Sequence, residues 1–189
     1  MSASAAQAPH AVTAVDLLGA ALHEETVGYF TAKTPYERDH VEHQVRECLR
    51  YLYLVSRHPD RLAGLFLPVE QEIDEIWHFL ILQTREYREL CEERLPGRRF
   101  IHHRSIAYGD YQDGDGSGAA SGDGAGRGRE RSVEEALRWI PLYTAAFGPF
   151  DEAALPHWTI VRFLNEQMGM SLPEISALTP SAPAPGRPA

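Results

Sequence analysis

The residues best suited to chemistry lie near the middle of the chain. Asp74 and His78 stand four apart within the run IDEIWHFLIL, a spacing that on a helix makes them neighbours on one face. The apolar company of His78 places it on a central helix, where an unpaired imidazole would cost about 1–3 kcal/mol. Asp74 is positioned to relieve that cost. A second pair, His102 and His103, follows in the segment FIHH. One carboxylate with two imidazoles is the donor set of a zinc site, or of an iron site with open positions. Adjacent side chains of an extended segment point to opposite sides. One of His102 and His103 is therefore expected to join Asp74 and His78 at a metal, its neighbour turning to a carboxylate or solvent. The candidate ligands are Asp74, His78, His102 and His103, for one divalent transition metal, iron or zinc before copper. Tyr87 would stand by as a supporting or substrate-facing hydroxyl.

The elements that must position these groups read as helices. Residues 12–30 are moderately amphipathic. Pro35 suits the first turn of a long helix reaching about His58, with an apolar stripe of Val41, Val45, Cys48, Leu52 and Val55. Pro68 restarts helix after a proline- and glycine-containing break, and Glu70 and Glu72 suit the dipole of its first turn. This helix is predicted to run to about Arg94 with the stripe Val69, Ile73, Ile76, Leu80, Thr84, Tyr87 and Cys91. The segment from Leu95 to His103, at about 3.3 Å per residue, is long enough to return along it. Ser132 with Glu135 forms a capping box for a helix ending at Phe147 before Gly148 and Pro149. Asp151 caps a last helix carrying Trp158, Val161, Phe163 and Leu164. No segment keeps a period of two. The expected fold is all-α, a compact helical bundle of about five helices with a short extended His-His segment and a long Gly-rich loop.

Domain organisation follows from composition. Residues 1–11 are expected to be disordered and residues 12–178 to form a single helical domain, interrupted by a flexible Gly-rich loop at 109–131. The proline-rich tail 179–189 is expected to be disordered. The loop's DGDGSG lacks the closing glutamate of a calcium loop.

The bulk chemistry excludes several functions. Twenty-seven acids against 18 bases give a formal charge of −9, without a basic stripe to track phosphates, so no nucleic-acid partner is expected. The apolar runs are far shorter than the roughly 20 residues that cross a bilayer, so no membrane partner is expected either. The N-terminal residues lack the basic and apolar regions of a signal peptide, and Cys48 and Cys91 read as buried free thiols. Both point to a cytoplasmic protein. No nucleotide fingerprint and no G-x-S-x-G elbow occur, so no nucleotide cofactor is expected. Of the remaining histidines, His40 and His43 sit among Asp39, Glu42 and Arg46 as on a solvated face. His157 is expected to pack beside Trp158.

The stretch IDEIWHFLILQTREYRELCEERLPGRRFIHH resembles the bacterial branch of the glycine-rich domain-containing protein-like family, a domain of unknown function. The likeness is carried by Asp74, Trp77, His78, Thr84, Tyr87, Cys91, His102 and His103. ECLRYLYLVSRHP upstream and YTAAFGPFDEAALPHW downstream extend it to roughly residues 36–158. Many members place a second histidine two residues after the first, where this chain has Leu80. On this resemblance Trp77 and Thr84 join Tyr87 as supporting or substrate-facing residues; the family implies no activity.

Two functions compete. The first is a metal-binding helical protein, a metal-dependent enzyme of hydrolytic or oxidative type acting on an unidentified small molecule. The second is a non-catalytic module for a protein partner, in which the same residues form a structural polar clasp.

Overall fold

The computed structural model describes residues 13–62, 68–103 and 137–179. The N-terminal segment 1–11, the glycine-rich loop 109–131, the capping box at Ser132 and the tail beyond Thr179 lie outside the described residues.

The first amphipathic stretch forms two helices, α1 (Ala14–Leu18) and α2 (Ala20–Lys33). Thr13 opens α1 with a reciprocal capping box to Asp16. Gly19 separates the two at φ +78°, a conformation that costs a glycine little. The long helix α3 (Arg38–Arg57) buries Val41, Val45, Cys48 and Leu52 as the stripe requires. It also buries Gln44, Glu47, Leu49, Tyr51, Leu54 and Ser56, so more than one face is covered. α1, α2, the single turn α4 (Pro59–Leu62) and α5 (Gln71–Leu82) all pack against it. The central helix is thus α3, whereas α5 leaves His78 and Leu82 exposed.

The predicted helix 68–94 is broken. α5 ends at Gln83, which leaves helical geometry at ψ 62°, and α6 (Thr84–Glu89) continues into a π-helical turn at Leu90–Arg94. No proline or glycine marks the break. Its effect is to rotate the apolar stripe: Thr84 becomes exposed while Tyr87, Leu90, Cys91 and Leu95 are buried. Gly97 then turns the chain back, its N–H donating to Ser56 Oγ at 2.8 Å.

Helix α7 covers residues 137–147 and ends at Gly148, φ +86°. Asp151 Oδ1 accepts from Ala154 N–H at 2.7 Å, and a 3-10 turn at Leu155–His157 leads into α8 (Thr159–Glu166). A short helix absent from the sequence-based expectation, α9 (Leu172–Ser176), is opened by a Ser171–Glu174 capping box. The described residues are all-α apart from one isolated bridge between Val69 and Trp158. They hold more helices than the five expected, because two predicted helices are split and α9 is added.

Aromatic rings join the closing segment to the rest. Trp77 packs on Tyr51, Tyr51 stacks on Trp139, and Trp139 meets Trp158. Tyr143 lies flat against Phe150 at 3.9 Å. Of the apolar residues on α8, Val161 and Leu164 are buried and Phe163 is exposed.

Candidate metal centre

The i, i+4 relation of Asp74 and His78 survives intact in α5. His78 Nδ1 lies 3.4 Å from Asp74 Oδ2. From the returning segment, His103 Nε2 lies 2.8 Å from Asp74 Oδ1. A carboxylate can only accept, so the His103 nitrogen carries the proton of that bond. The two imidazole rings are 4.2 Å apart, centre to centre, and one donor atom from each of the three residues lies within 4.8 Å of the others. Two ligands of a metal with bonds of about 2.0–2.2 Å are separated by about 3.0–3.5 Å at right or tetrahedral angles. The Asp74–His78 spacing already matches, and a metal would replace the proton between Asp74 and His103.

Burial differs among the three. The His103 side chain is 11% exposed, Asp74 26% and His78 47%. The cluster is therefore anchored on its inner side and open on its outer side. This corrects the expectation that His78 is buried: Ile73, Ile76, Trp77 and Leu80 take the core side of α5, and the imidazole reaches solvent. Cys48 and Tyr51 of α3 lie behind Asp74. Burial pushes both of their pKa values up, and the Asp74 charge adds to the effect. Burial likewise raises the thiol of Cys91, and both cysteines are buried and free, as expected.

The FIHH segment is held by a relay the sequence does not display. Trp77 Nε1–H donates to the Tyr87 hydroxyl at 2.8 Å, and that hydroxyl donates to the Ile101 carbonyl at 2.7 Å. Phe100 meets the Tyr87 ring edge-on, and Trp77 meets His103 edge-on at 4.4 Å. Tyr87 is 1% exposed, so its hydroxyl positions backbone and does not face a substrate. Trp77 supports the same segment. Thr84, exposed at the start of α6, takes no part. His102 is exposed, lies against Phe100 and stands outside the cluster; the pleat of the segment sends it away from Asp74. Leu80, where a further histidine would stand by resemblance, is 1% exposed, and its side chain enters the core.

A second polar cluster, centred on Glu47, is not visible in the sequence. Glu47 is fully buried. Its Oε1 accepts from Arg46 at 2.9 Å and Arg50 at 3.0 Å, and its Oε2 accepts from Tyr143 and Trp158, each at 3.0 Å. Burial, then the Glu47 charge, pushes the Tyr143 hydroxyl up. All four bonds are made, so the group clamps α3, α7 and the Trp158 segment together and has no free oxygen for a ligand. Locally Glu47 looks like a solvated acid between two arginines; only partners about a hundred residues away bury it. His157 is buried beside His40, with ring centres 5.3 Å apart. Burial, then His40, His43 and Arg46, pushes its pKa down to about 4.

The fold and site together define an all-α protein with a surface cluster of one carboxylate and two imidazoles. No helix of the described residues is long and apolar enough to cross a membrane. No protein-family model, curated protein or solved structure matches the chain.

Proposed function

We propose that this protein is a mononuclear metal-dependent enzyme whose metal, iron or zinc, is held by Asp74, His78 and His103. The observation that carries it is the meeting of three donors from two segments within 4.8 Å, on a face where one of them is exposed. Three protein ligands with positions left open are the arrangement of catalytic sites, whereas structural zinc sites are closed by four. A metal there would supply activated water or a position for dioxygen, according to its identity. Asp74 and His103 would set the inner side of the coordination sphere, with Trp77 and Tyr87 fixing His103 through the backbone at Ile101. His78 would form the outer wall.

One observation favours the non-catalytic clasp instead. The Asp74–His103 hydrogen bond at 2.8 Å already ties FIHH to α5. The two readings diverge at His78, which the metal reading requires as a ligand and which in the clasp is a half-exposed neighbour 3.4 Å from Asp74. Metal content by inductively coupled plasma mass spectrometry, after reconstitution with iron(II) or zinc(II), separates them. About one metal per chain is expected, retained by His102→Ala and lost by Asp74→Ala, His78→Ala and His103→Ala. Metal-free protein after reconstitution, or full occupancy in His78→Ala and His103→Ala, would leave only the clasp. We further propose, on the motif from Asp74 to His103, that the chain is a bacterial-branch relative of the glycine-rich domain-containing protein-like family. A family member's structure lacking this Asp-His-His juxtaposition would separate the two.

A further inference from the structure

The exposed side of His78 opens onto a groove between α2 and α5. Its volume is about 350 Å³, and Tyr29, Phe30, Lys33, Phe79, Leu82 and His78 line it. That volume falls in the range of small-molecule sites, roughly 300–1,000 Å³. Its walls are largely aromatic. Tyr29 and Phe79 lie 4.7 Å apart, and both meet Phe30. Leu82, 76% exposed, forms a lip.

The polar groups on this surface are few and unequal. Glu75 accepts from Gln71 at 3.1 Å, and the Thr34 hydroxyl donates to the Phe30 carbonyl at 2.8 Å. Lys33 differs. Its ammonium lies over the Tyr29 ring, 4.8 Å from the centre, and none of the ion pairs among the described residues uses it. Among the described residues this ammonium has no carboxylate within ion-pair distance, and beside an aromatic groove whose other charge, Glu75, is engaged by Gln71 it is a point of charge complementarity for an anion.

We propose that this groove is the substrate site, and that it takes a small carboxylate with an aromatic or branched apolar body. The body lies on the face formed by Tyr29, Phe79 and Leu82. The carboxylate pairs with Lys33, and the opposite end is presented to His78. The role of that opposite end rests on the metal-enzyme reading; the carboxylate and ring subsites do not.

The test is calorimetric titration of the full chain, metal-free and zinc-loaded, with 3-phenylpropanoate, 3-phenylpropanamide and 2-phenylethylamine. The acid is expected to bind the metal-free protein about two- to fivefold more tightly than the amide, and more tightly than the amine, as an ion pair to an exposed ammonium implies. Lys33→Gln should bring acid and amide together. Phe79→Ala should weaken both, and Leu82→Asp, on an exposed lip that does not endanger folding, should weaken the acid most. Equal binding of acid and amide, preference for the amine, or no binding at millimolar concentration would overturn the proposal. So would acid binding that appears only with zinc and survives Lys33→Gln, since the carboxylate would then be on the metal. Acid selectivity in a protein that never takes up metal would retain the groove and remove the metal-enzyme reading.

Discussion

Of the two roles expected of Tyr87, a supporting or a substrate-facing hydroxyl, the structure supports the first. The oxygen is spent between Trp77 and the Ile101 carbonyl. Tyr87→Phe keeps the ring and removes the relay, leaving the Trp77 N–H and the Ile101 carbonyl unpaired in the interior. The expected loss is about 1–3 kcal/mol in denaturant unfolding. Because the relay holds the segment carrying His103, metal affinity should also fall about tenfold or more in a chelator competition. Unchanged affinity in a destabilised variant would mean that His103 is placed by Trp77 packing alone. The same scale explains the histidine pair. Alternation of side chains foretold that one member would reach Asp74, while the choice of His103 over His102 depends on which face of the segment Tyr87 and Ile101 pull inward.

The elements around the site are set by close backbone approaches as much as by apolar stripes. Gly97 sits so near the end of α3 that a Cβ placed on it would lie 2.2 Å from the Ser56 carbonyl oxygen and 2.8 Å from Ser56 Oγ. Backbone cannot yield there as a side chain can. Gly97→Ala should therefore destabilise the protein by about 2 kcal/mol or more and displace the return to His103. Ser56→Ala removes only the hydrogen bond to Gly97 N–H and should cost about 0.5–1.5 kcal/mol. Thermal unfolding of the two variants checks the order, and equal losses would contradict it. The break at Gln83 belongs to this scale too. A continuous helix would have buried Thr84, while the observed turn buries Leu90 and Leu95 instead.

Across the whole molecule, the closing segment carries a pH dependence. His157 belongs to a small cleft that also holds His40, Gln44, Glu70 and Arg162, and Glu70 is paired with Arg162 at 2.9 Å. The folded state depresses the His157 pKa from about 6.5 to about 4, through burial first and then His40, His43 and Arg46. As pH falls, the unfolded chain takes up this proton before the folded one does. The stabilisation is complete above about pH 6.5 and is lost progressively toward pH 4. The melting temperature should drop by about 5 °C or more between pH 7 and pH 5, and His157→Gln should flatten that part of the profile. A variant with the wild-type slope would assign the acid sensitivity to another group.

What the sequence determined by itself is whatever is decided within about two helical turns. The all-α class, the reach of α3, the buried thiols and the shared face of Asp74 and His78 all follow from side-chain periods and i, i+4 contacts. Tertiary structure decided everything that needed a distant partner. It turned His78 outward, selected His103, buried Glu47 under Tyr143 and Trp158, broke the helix at Gln83 and set α2 beside α5 to form the groove. Each of these depends on which apolar faces meet. A face's burial is a property of the two elements that cover it, so neither element's own residues carry it.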